Sequence, residues 1–295
     1  TKTGEEIFAT KDHPFLTPKG MIFAENLKVG DKVAIYPFEG VKYEEPLDEK
    51  IINENEIEKV LKEIYPKIGK KEIKFVIQRL KEKNLLPLTY KNPKLPYILK
   101  IIGFVFGDAS MNFIGKKKDG IIHFSSKDKE SLEEIRKDIE KVGYKPSRIY
   151  EIKRNNSTYY SFYLNASSFV MLLLTLGVPL GKKAFQAYRV PKWIFKCTLW
   201  QKRLFLASFF GAELRKARTR NDRKTLFIAP SITMRKAKEL KENAIEFLED
   251  IKKLLGEFGV EVLYILERRE YKSKKGKITV AVSYTHLTLP TSDLV

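Results

Sequence analysis

The chain has 295 residues, of which 56 are lysine or arginine and 37 are aspartate or glutamate, so its formal net charge is +19. A surplus of positive charge this large is typical of proteins that bind polyanions. The alternative, a heat-adapted surface rich in Lys and Glu, would have nearly equal numbers of positive and negative charges and does not explain the surplus. The single cysteine, Cys197, excludes an internal disulfide, and no apolar run reaches membrane length, so we expect a cytoplasmic protein without membrane contact.

Residues 1–45 contain brief apolar runs separated by Gly, Pro and Asp, which predicts strands and turns. The segments 10–17 and 27–31 together resemble a block of inteins and related Hint-type autoprocessing domains. The resemblance implies a partial all-β Hint domain over 1–45, in which Thr10 and His13 form the Thr-x-x-His pair that activates the N-terminal splice junction. An imidazole suits this work because its pKa lies near neutrality, although a lone turn histidine is usually structural.

The same resemblance sets an expectation about splicing. Inteins begin with a nucleophilic Cys or Ser well upstream of this block and end in His-Asn. The present sequence has Thr1 close to the block and ends in Leu294-Val295. We therefore expect no splicing by this chain and regard Thr10 and His13 as vestigial.

Residues 46–94 are predicted to form a helical spacer. Two sets of apolar residues recur at helical spacing, and they are Ile57, Val60, Leu61 and Ile64, then Ile73, Val76, Ile77 and Leu80. The alternative is a small DNA-contacting module, but lysines on such helices usually form a solvated face.

Two later apolar runs, 99–108 and 204–213, each end in a carboxylate and carry small residues five positions and one position before it. These small residues are Gly103 and Gly107 in the first run and Ser208 and Ala212 in the second. Positions four apart share one face of a helix, and small residues allow helices to approach closely. Two such helices would set Asp108 beside Glu213.

Two adjacent carboxylates repel each other, and each would face the negative end of its helix dipole. A divalent cation such as Mg²⁺, which binds one or two carboxylates plus waters and phosphates, removes both problems. The pair therefore predicts metal-assisted phosphodiester hydrolysis. The alternative is two core helices that each end in a solvated acid, and the repetition of the pattern favours the metal site.

The elements after each run follow the same order, which indicates an internal duplication. In the second copy we predict a strand near 225–228, a helix over 235–258 and strands over 260–267 and 278–282. Residues 283–295 resemble translated sequencing-adapter read-through and are predicted to be a foreign tail.

The paired runs resemble the motifs of LAGLIDADG homing endonucleases, and the duplication resembles the single-chain, two-half form that is inserted inside inteins. The resemblance implies an α+β chain in which α-β-α-β-β-α halves form a pseudo-twofold saddle over double-stranded DNA. The predicted domains are the partial Hint domain (1–45), the spacer (46–94), the first half (95–198), the C-terminally truncated second half (199–282) and the tail (283–295). Ala109 replaces the usual glycine after the first acid, and Glu213 stands where Asp is commoner.

The resemblance also implies site residues and partners. Asp108 and Glu213 would bind the catalytic Mg²⁺, and Arg189, or Tyr188 through an ordered water, would take the place of a basic residue that assists the reaction. Candidate DNA contacts are Arg148, Lys153, Arg154, Arg268 and Arg269. The partners would be DNA and, in a longer precursor, the host protein (extein), with the chain acting as a monomer.

The predicted function is thus an intein-encoded endonuclease that makes a site-specific, Mg²⁺-dependent double-strand cut. Two alternatives remain at this stage. One is a splicing-module remnant whose nuclease has decayed into a nucleic-acid-binding or structural insert. The other is a non-catalytic nucleic-acid binder or RNA maturase on the same scaffold.

Overall fold

A computed structural model describes most of the chain, and the fold mixes helices and sheets. The described residues are 9–34, 41–115, 119–154, 157–214, 218–219, 227–228, 231–272 and 278–288. Within them, no helix combines the length and the apolar character needed to cross a bilayer.

The N-terminal part contains one β-hairpin. Strand β1 (Pro14–Thr17) pairs antiparallel with β2 (Gly20–Phe23), and the tight turn between them places Gly20 at a φ of +100°. A partial all-β Hint domain was predicted for 1–45, and no all-β domain is seen in the described residues of that segment. What the structure supports here is a hairpin with a short 3₁₀ turn at Ala24–Asn26.

The predicted spacer does contain two helices, and a two-stranded pair closes it. Its elements in chain order are β3 (Lys50–Ile52), α1 (Glu54–Ile64), α2 (Lys70–Glu82) and β4 (Leu88–Thr89). Helix α1 starts at a capping box. The backbone N–H of Asn53 donates to the Glu56 carboxylate, and the side chain of Asn53 accepts from the backbone N–H of Asn55, both at 2.8 Å. Strand β3 pairs antiparallel with β4, so the two ends of the segment meet.

The first α/β unit follows directly. Its elements are α3 (Leu95–Phe106), β5 (Ala109–Ile114), β6 (Asp119–Ser126), α4 (Lys129–Val142), β7 (Tyr150–Arg154), β8 (Ser157–Asn165) and α5 (Ser167–Thr175). The strands form one antiparallel sheet in the order β5-β6-β8-β7. Helix α4 ends at Gly143, whose φ of 107° is the left-handed conformation that glycine adopts readily.

The second unit repeats this plan. Its elements are α6 (Leu199–Glu213), β9 (Arg218–Thr219), β10 (Phe227–Ile228), β11 (Ser231–Ala237), α7 (Lys241–Gly256), β12 (Glu261–Lys272) and β13 (Ile278–Thr288). Its sheet order, β11-β13-β12, matches β6-β8-β7 of the first unit position for position. The duplication that the sequence predicted is therefore present in the topology.

Three details of the predicted halves need correction. The predicted α-β-α-β-β-α order omits a strand, because both β5 and β6 lie between α3 and α4. The helix predicted from residue 235 begins at Lys241, since Arg235 to Ala237 still belong to β11. Strand β13 continues past the predicted end at Val282 to Thr288, so the first residues of the predicted tail pair with β11 and β12, while 289–295 lie outside the described residues.

The core is continuous from the spacer through both units. Helix α3 lies at its centre, with nine of its twelve residues buried, and it packs against α4 on one side and α6 on another. This central pair, α3 and α6, brings the two units together.

Candidate active site

Helices α3 and α6 meet with almost no side chain between them. A Cβ atom added to Gly103 would lie closer than 3.0 Å to the backbone of α6, and one added to Gly107 would lie as close to the Cβ atom of Ala212. The hydroxyl of Ser208 donates a hydrogen bond across the contact to the carbonyl oxygen of Lys100 at 2.7 Å. The predicted backbone-to-backbone approach is confirmed.

The same contact brings the two predicted acids together. Glu213 is the last residue of α6, and Asp108 follows Gly107 at the end of α3. A Cβ atom on Gly107 would lie 3.4 Å from Cγ of Glu213. The pKa of Glu213 is raised to about 7, mainly by burial; the charge of Lys183 acts to lower this pKa, and the charge of Asp108 acts to raise it. Desolvation also raises the pKa of Asp108.

Lys183 is the cation of this site. Its Nζ donates to the carbonyl oxygens of Val105 and Phe106, both at 2.9 Å, and to that of Gly107. These are C-terminal carbonyls of α3, which have no partner within the helix and carry its negative dipole end. Burial lowers the pKa of Lys183 to about 8, although the charges of Glu213 and Asp108 act in the opposite direction.

A second lysine lies directly behind Lys183. Lys236, on β11, is fully buried. Its Nζ donates to the carbonyl oxygen of Lys183 at 3.0 Å and to that of Gln186, and it lies 3.4 Å from the centre of the Tyr188 ring. The pKa of Lys236 is lowered to about 7, mainly by burial and in smaller part by the charge of Lys183.

Glu213 and Lys183 also line a cavity of about 360 Å³. Its other walls include the apolar side chains of Phe106, Phe209 and Ile232, each of which is nearly fully buried. These apolar walls remove water from one side of both charged groups, which accounts for the direction of both pKa shifts.

Arg189, the predicted assisting residue, forms ion pairs with two carboxylates. Its guanidinium makes a two-pronged contact with Asp250, at 2.7 Å for both Nε and Nη2, and a further ion pair with Glu246 at 3.2 Å. These carboxylates belong to α7, so the Arg189 side chain is directed to α7. The basic side chain that contacts the end of α3 is Lys183.

The sequence pattern placed the assisting residue at Arg189 or Tyr188 and did not indicate Lys183. Lys183 lies seven residues before Val190, in a 3₁₀ turn at Lys183–Phe185. The only local signal is the pair Lys182-Lys183 after Gly181, and nothing in that pair indicates which lysine points inward. Lys236 carried no signal at all, because it lay in the predicted helix over 235–258 and a lysine is expected to face solvent.

The candidate DNA contacts are described only in part. Arg148 is exposed, with its guanidinium 5.0 Å from the centre of the Tyr150 ring. Lys153 is exposed on β7 and forms an ion pair with Glu151 at 3.4 Å. Arg154 lies on β7, and Arg268 and Arg269 lie on β12, but their side chains are outside the described part of the structure.

Thr10 and His13 are close neighbours in a turn. The backbone N–H of His13 donates to the carbonyl oxygen of Thr10 at 3.0 Å, and the imidazole contacts the ring of Phe15 edge-on at 5.1 Å. Both residues are exposed. Their role in splicing remains a prediction.

The acid pair fits Mg²⁺ better than it fits a cation whose ligands must all come from the protein. In the described ranges, no three His, Cys, Asp or Glu side chains are grouped as metal ligands. Mg²⁺ does not need such a group, because it commonly takes one or two carboxylates and completes its shell with water and substrate phosphate. Asp108 and Glu213, whose charges oppose each other in a partly buried site, supply that donor set.

Comparison with known proteins gives relatives of different names. No family model matches the sequence. The chain is 38% identical over 293 residues to the tRNA-splicing ligase RtcB of Methanocaldococcus jannaschii, a match that covers 95% of this chain and 28% of that protein. It is also 33% identical to DNA-directed RNA polymerase subunit Rpo1N of that organism, a match that covers 97% of this chain and 22% of the subunit. It is 30% identical to the replication factor C small subunit of that organism, a match that covers 88% of this chain and 18% of the subunit. The chain thus spans about a quarter or less of the length of these curated relatives.

Solved structures with a similar arrangement include two homing endonucleases. I-DmoI, in a study of mesophilic variants, is 12% identical with a TM-score of 0.39, and the match covers 66% of this chain and 90% of that chain. I-WcaI, bound to its DNA recognition sequence, is 15% identical with a TM-score of 0.38, and the match covers 64% and 75%.

Proposed function

We propose that this chain is the endonuclease-bearing part of an intein and that it makes site-specific, Mg²⁺-dependent double-strand cuts in DNA. The observation that carries the proposal is the pair Asp108 and Glu213, held at adjacent helix ends with Lys183 beside them. Both acids come from one chain, so we infer that the active species is a monomer.

Each residue of the site has a role in this proposal. Asp108 and Glu213 would hold Mg²⁺, which when bound supplies activation of water and neutralisation of charge on the scissile phosphate. The charged Lys183 amine stabilises the negative charge that grows on the phosphate. Its bonds to the carbonyls of Val105 and Phe106 fix it before DNA arrives, and donors that are already in place cost no reorganisation during the reaction.

The two sheets would form the DNA-binding surface. The matching orders β6-β8-β7 and β11-β13-β12 present two similar surfaces, and the net charge of +19 provides the attraction to phosphates. The proposed contacts are Lys153 and Arg154 on β7, Arg148 two residues before that strand, and Arg268 and Arg269 on β12. Most such side chains contact phosphate, and base reading falls to a few of them.

The pattern of relatives favours an inserted element. Nearly the whole chain matches three differently named proteins, but each match is confined to 28%, 22% or 18% of the other protein. A segment that is inherited independently of the protein around it, as an intein is within its host protein, accounts for this pattern. The same pattern argues against assigning a ligase, polymerase or replication function to this chain.

The proposal is tested by cleavage of a randomised duplex DNA library with and without Mg²⁺. We expect discrete cuts by the parent chain and none by the Asp108→Asn/Glu213→Gln double variant, with DNA binding retained by both. Glu249→Gln, which removes one charge from the exposed face of α7, is the matched control and should cut normally. Uncut DNA in the parent reaction would contradict the nuclease, and a preference for structured RNA over duplex DNA would favour the maturase alternative.

A further inference from the structure

Residues 183–190 contain the short turn Lys183–Phe185 and no other helix or strand. Backbone N–H and C=O groups outside regular structure must find partners elsewhere when they are buried. The backbone N–H groups of Phe185 and Gln186 bond within the turn, and side chains of β11 and α7 in the second unit bond other backbone groups of the segment.

The side chain of Asn243, on α7, forms hydrogen bonds with both the backbone N–H and the backbone C=O of Tyr188. Its Oδ1 accepts a hydrogen bond from the N–H of Tyr188 at 3.0 Å, and its Nδ2 donates to the carbonyl oxygen of Tyr188 at 3.1 Å. A side-chain amide can donate and accept in this way, whereas a carboxylate of the same shape can only accept.

Asp250, two turns further along α7, holds the end of the segment. It takes the two bonds from Arg189 and accepts a third, at 3.3 Å, from the backbone N–H of Val190. Asp250 is only 8% exposed, so these bonds replace most of its contact with water. Charge-assisted bonds of this kind are among the stronger ones in proteins.

Lys236 holds the start of the segment through the carbonyl oxygens of Lys183 and Gln186. A methionine side chain would fill nearly the same space, and burying it would not require desolvation of an amine. Packing alone therefore does not account for a lysine at position 236. What the amine adds is a fixed position for the backbone of the residue that contacts α3.

We propose that Lys236, Asn243 and Asp250 form a clamp that positions Lys183 at the end of α3, so that the active site is assembled only when the second unit is docked against the first. This inference depends on the proposed function only where it predicts an effect of the clamp on DNA cleavage. Lys236 and Asn243 are positioning residues, because they act through the backbone of 183–190.

The first test does not require cleavage. Reductive methylation with formaldehyde, followed by peptide mass spectrometry, compares the reactivity of Lys183 with that of its exposed neighbour Lys182. In the parent, Lys183 should react much more slowly than Lys182. In Lys236→Met and in the nearly isosteric Asn243→Asp, the ratio should rise toward unity. An unchanged ratio in both folded variants would overturn the clamp.

The control is Lys238→Met. Lys238 lies two residues after Lys236, is 58% exposed and forms an ion pair with Glu270 at 2.7 Å. This variant removes the same charge from the same region without touching 183–190, so the labelling ratio should stay at the parent value. If the ratio of Lys183 to Lys182 reactivity rose in this control as well, the change in Lys236→Met would be due to the loss of a charge, which would contradict the clamp.

The second test is a double-mutant cycle on single-turnover cleavage. A displacement of about 1 Å in a catalytic group lowers rates on the order of 10²-fold, and we expect a loss of this size in Lys236→Met with DNA affinity unchanged. If Lys236 acts through Lys183, adding Lys236→Met to Lys183→Met should cause no further loss. Additive losses would mean a general structural role and would overturn the positioning role.

The two tests separate the two hypotheses. If the parent does not cut DNA, the proposed nuclease fails while the labelling ratio still decides whether the clamp positions Lys183. If the parent cuts and the ratio is unaffected by Lys236→Met and Asn243→Asp, the nuclease stands and the clamp fails.

Discussion

Substitution of Gly103 by alanine tests whether the contact between α3 and α6 sets the geometry of the active site. The added Cβ atom would lie 3.0 Å from the backbone nitrogen of Phe209 and from Cβ of Ser208, and closer still to the carbonyl oxygen of Phe205. Two of these atoms are backbone, so no side-chain rotation can relieve the overlap. The helices must move apart, and Asp108 and Glu213 at their ends must move with them.

The magnitude follows from two opposing effects. Alanine is better than glycine inside a helix by about 0.5–1 kcal/mol, whereas overpacking a close contact typically costs about 1–3 kcal/mol. The overlap at Gly103 involves backbone, so we expect overpacking to dominate and the free energy of unfolding to fall. For a chain of this size each kcal/mol lowers Tm by about 2–4 °C.

Gly211→Ala is the matched control, because a Cβ atom there would have nothing within 4 Å. It lies on α6 itself, so the helix propensity gain should appear alone and raise Tm slightly. Thermal unfolding followed by circular dichroism, with cleavage measured on the same samples, compares the two variants. If Gly103→Ala is as stable as Gly211→Ala and cuts DNA at the parent rate, the close helix contact does not set the site and the reasoning is wrong.

Three further predictions concern ions and pH. Mg²⁺ should raise the Tm of the parent in a concentration-dependent way, because a ligand that binds only the folded chain stabilises it, and Asp108→Asn/Glu213→Gln should show no such rise. The pKa of Lys236 is lowered from 10.5 to about 7, so between these pH values the folded chain binds fewer protons than the unfolded chain. The free energy of unfolding should therefore increase from pH 7 toward 10.5. Lys236→Met should remove that part of the pH dependence of Tm. DNA affinity should fall linearly with the logarithm of salt concentration, and Arg148→Ala or Lys153→Ala should each reduce the slope by about one if the side chain contacts phosphate; an unchanged slope would remove that residue from the interface.

The central helix pair could be predicted because its signal is local. Small residues four apart, next to an acid, identify both the contact face and the end of each helix, and Gly103 and Gly107 lie where the pattern placed them. The helices of the spacer followed in the same way from apolar spacing, since Ile57, Leu61 and Leu80 are fully buried.

The elements that were missed lack such a local signal. Strand β5 alternates buried Ala109 and Met111 with Ser110 and Asn112, residues that are equally common in loops. The end of β11 lies inside the predicted helix over 235–258, and no residue there indicates a strand, since a lysine such as Lys236 is expected to face solvent yet is fully buried.

The lysine of the candidate site could not be predicted for a related reason. Lys183 is defined by its bonds to Val105, Phe106 and Gly107, which are more than seventy residues away. A contact of that range has no periodicity in the sequence, so only the folded chain identifies it.

Helix α5 bears on the history of the spacer. Six consecutive residues of this helix, from Ser168 to Leu173, are buried, because β6 covers one side and α1 and α2 cover another. Without the spacer, a strip of Phe, Val, Met and Leu would face water, and exposed apolar surface of this kind promotes aggregation. The spacer therefore completes the core of the first unit, and a chain that lacked residues 46–94 would need a more polar face on α5 to stay in solution.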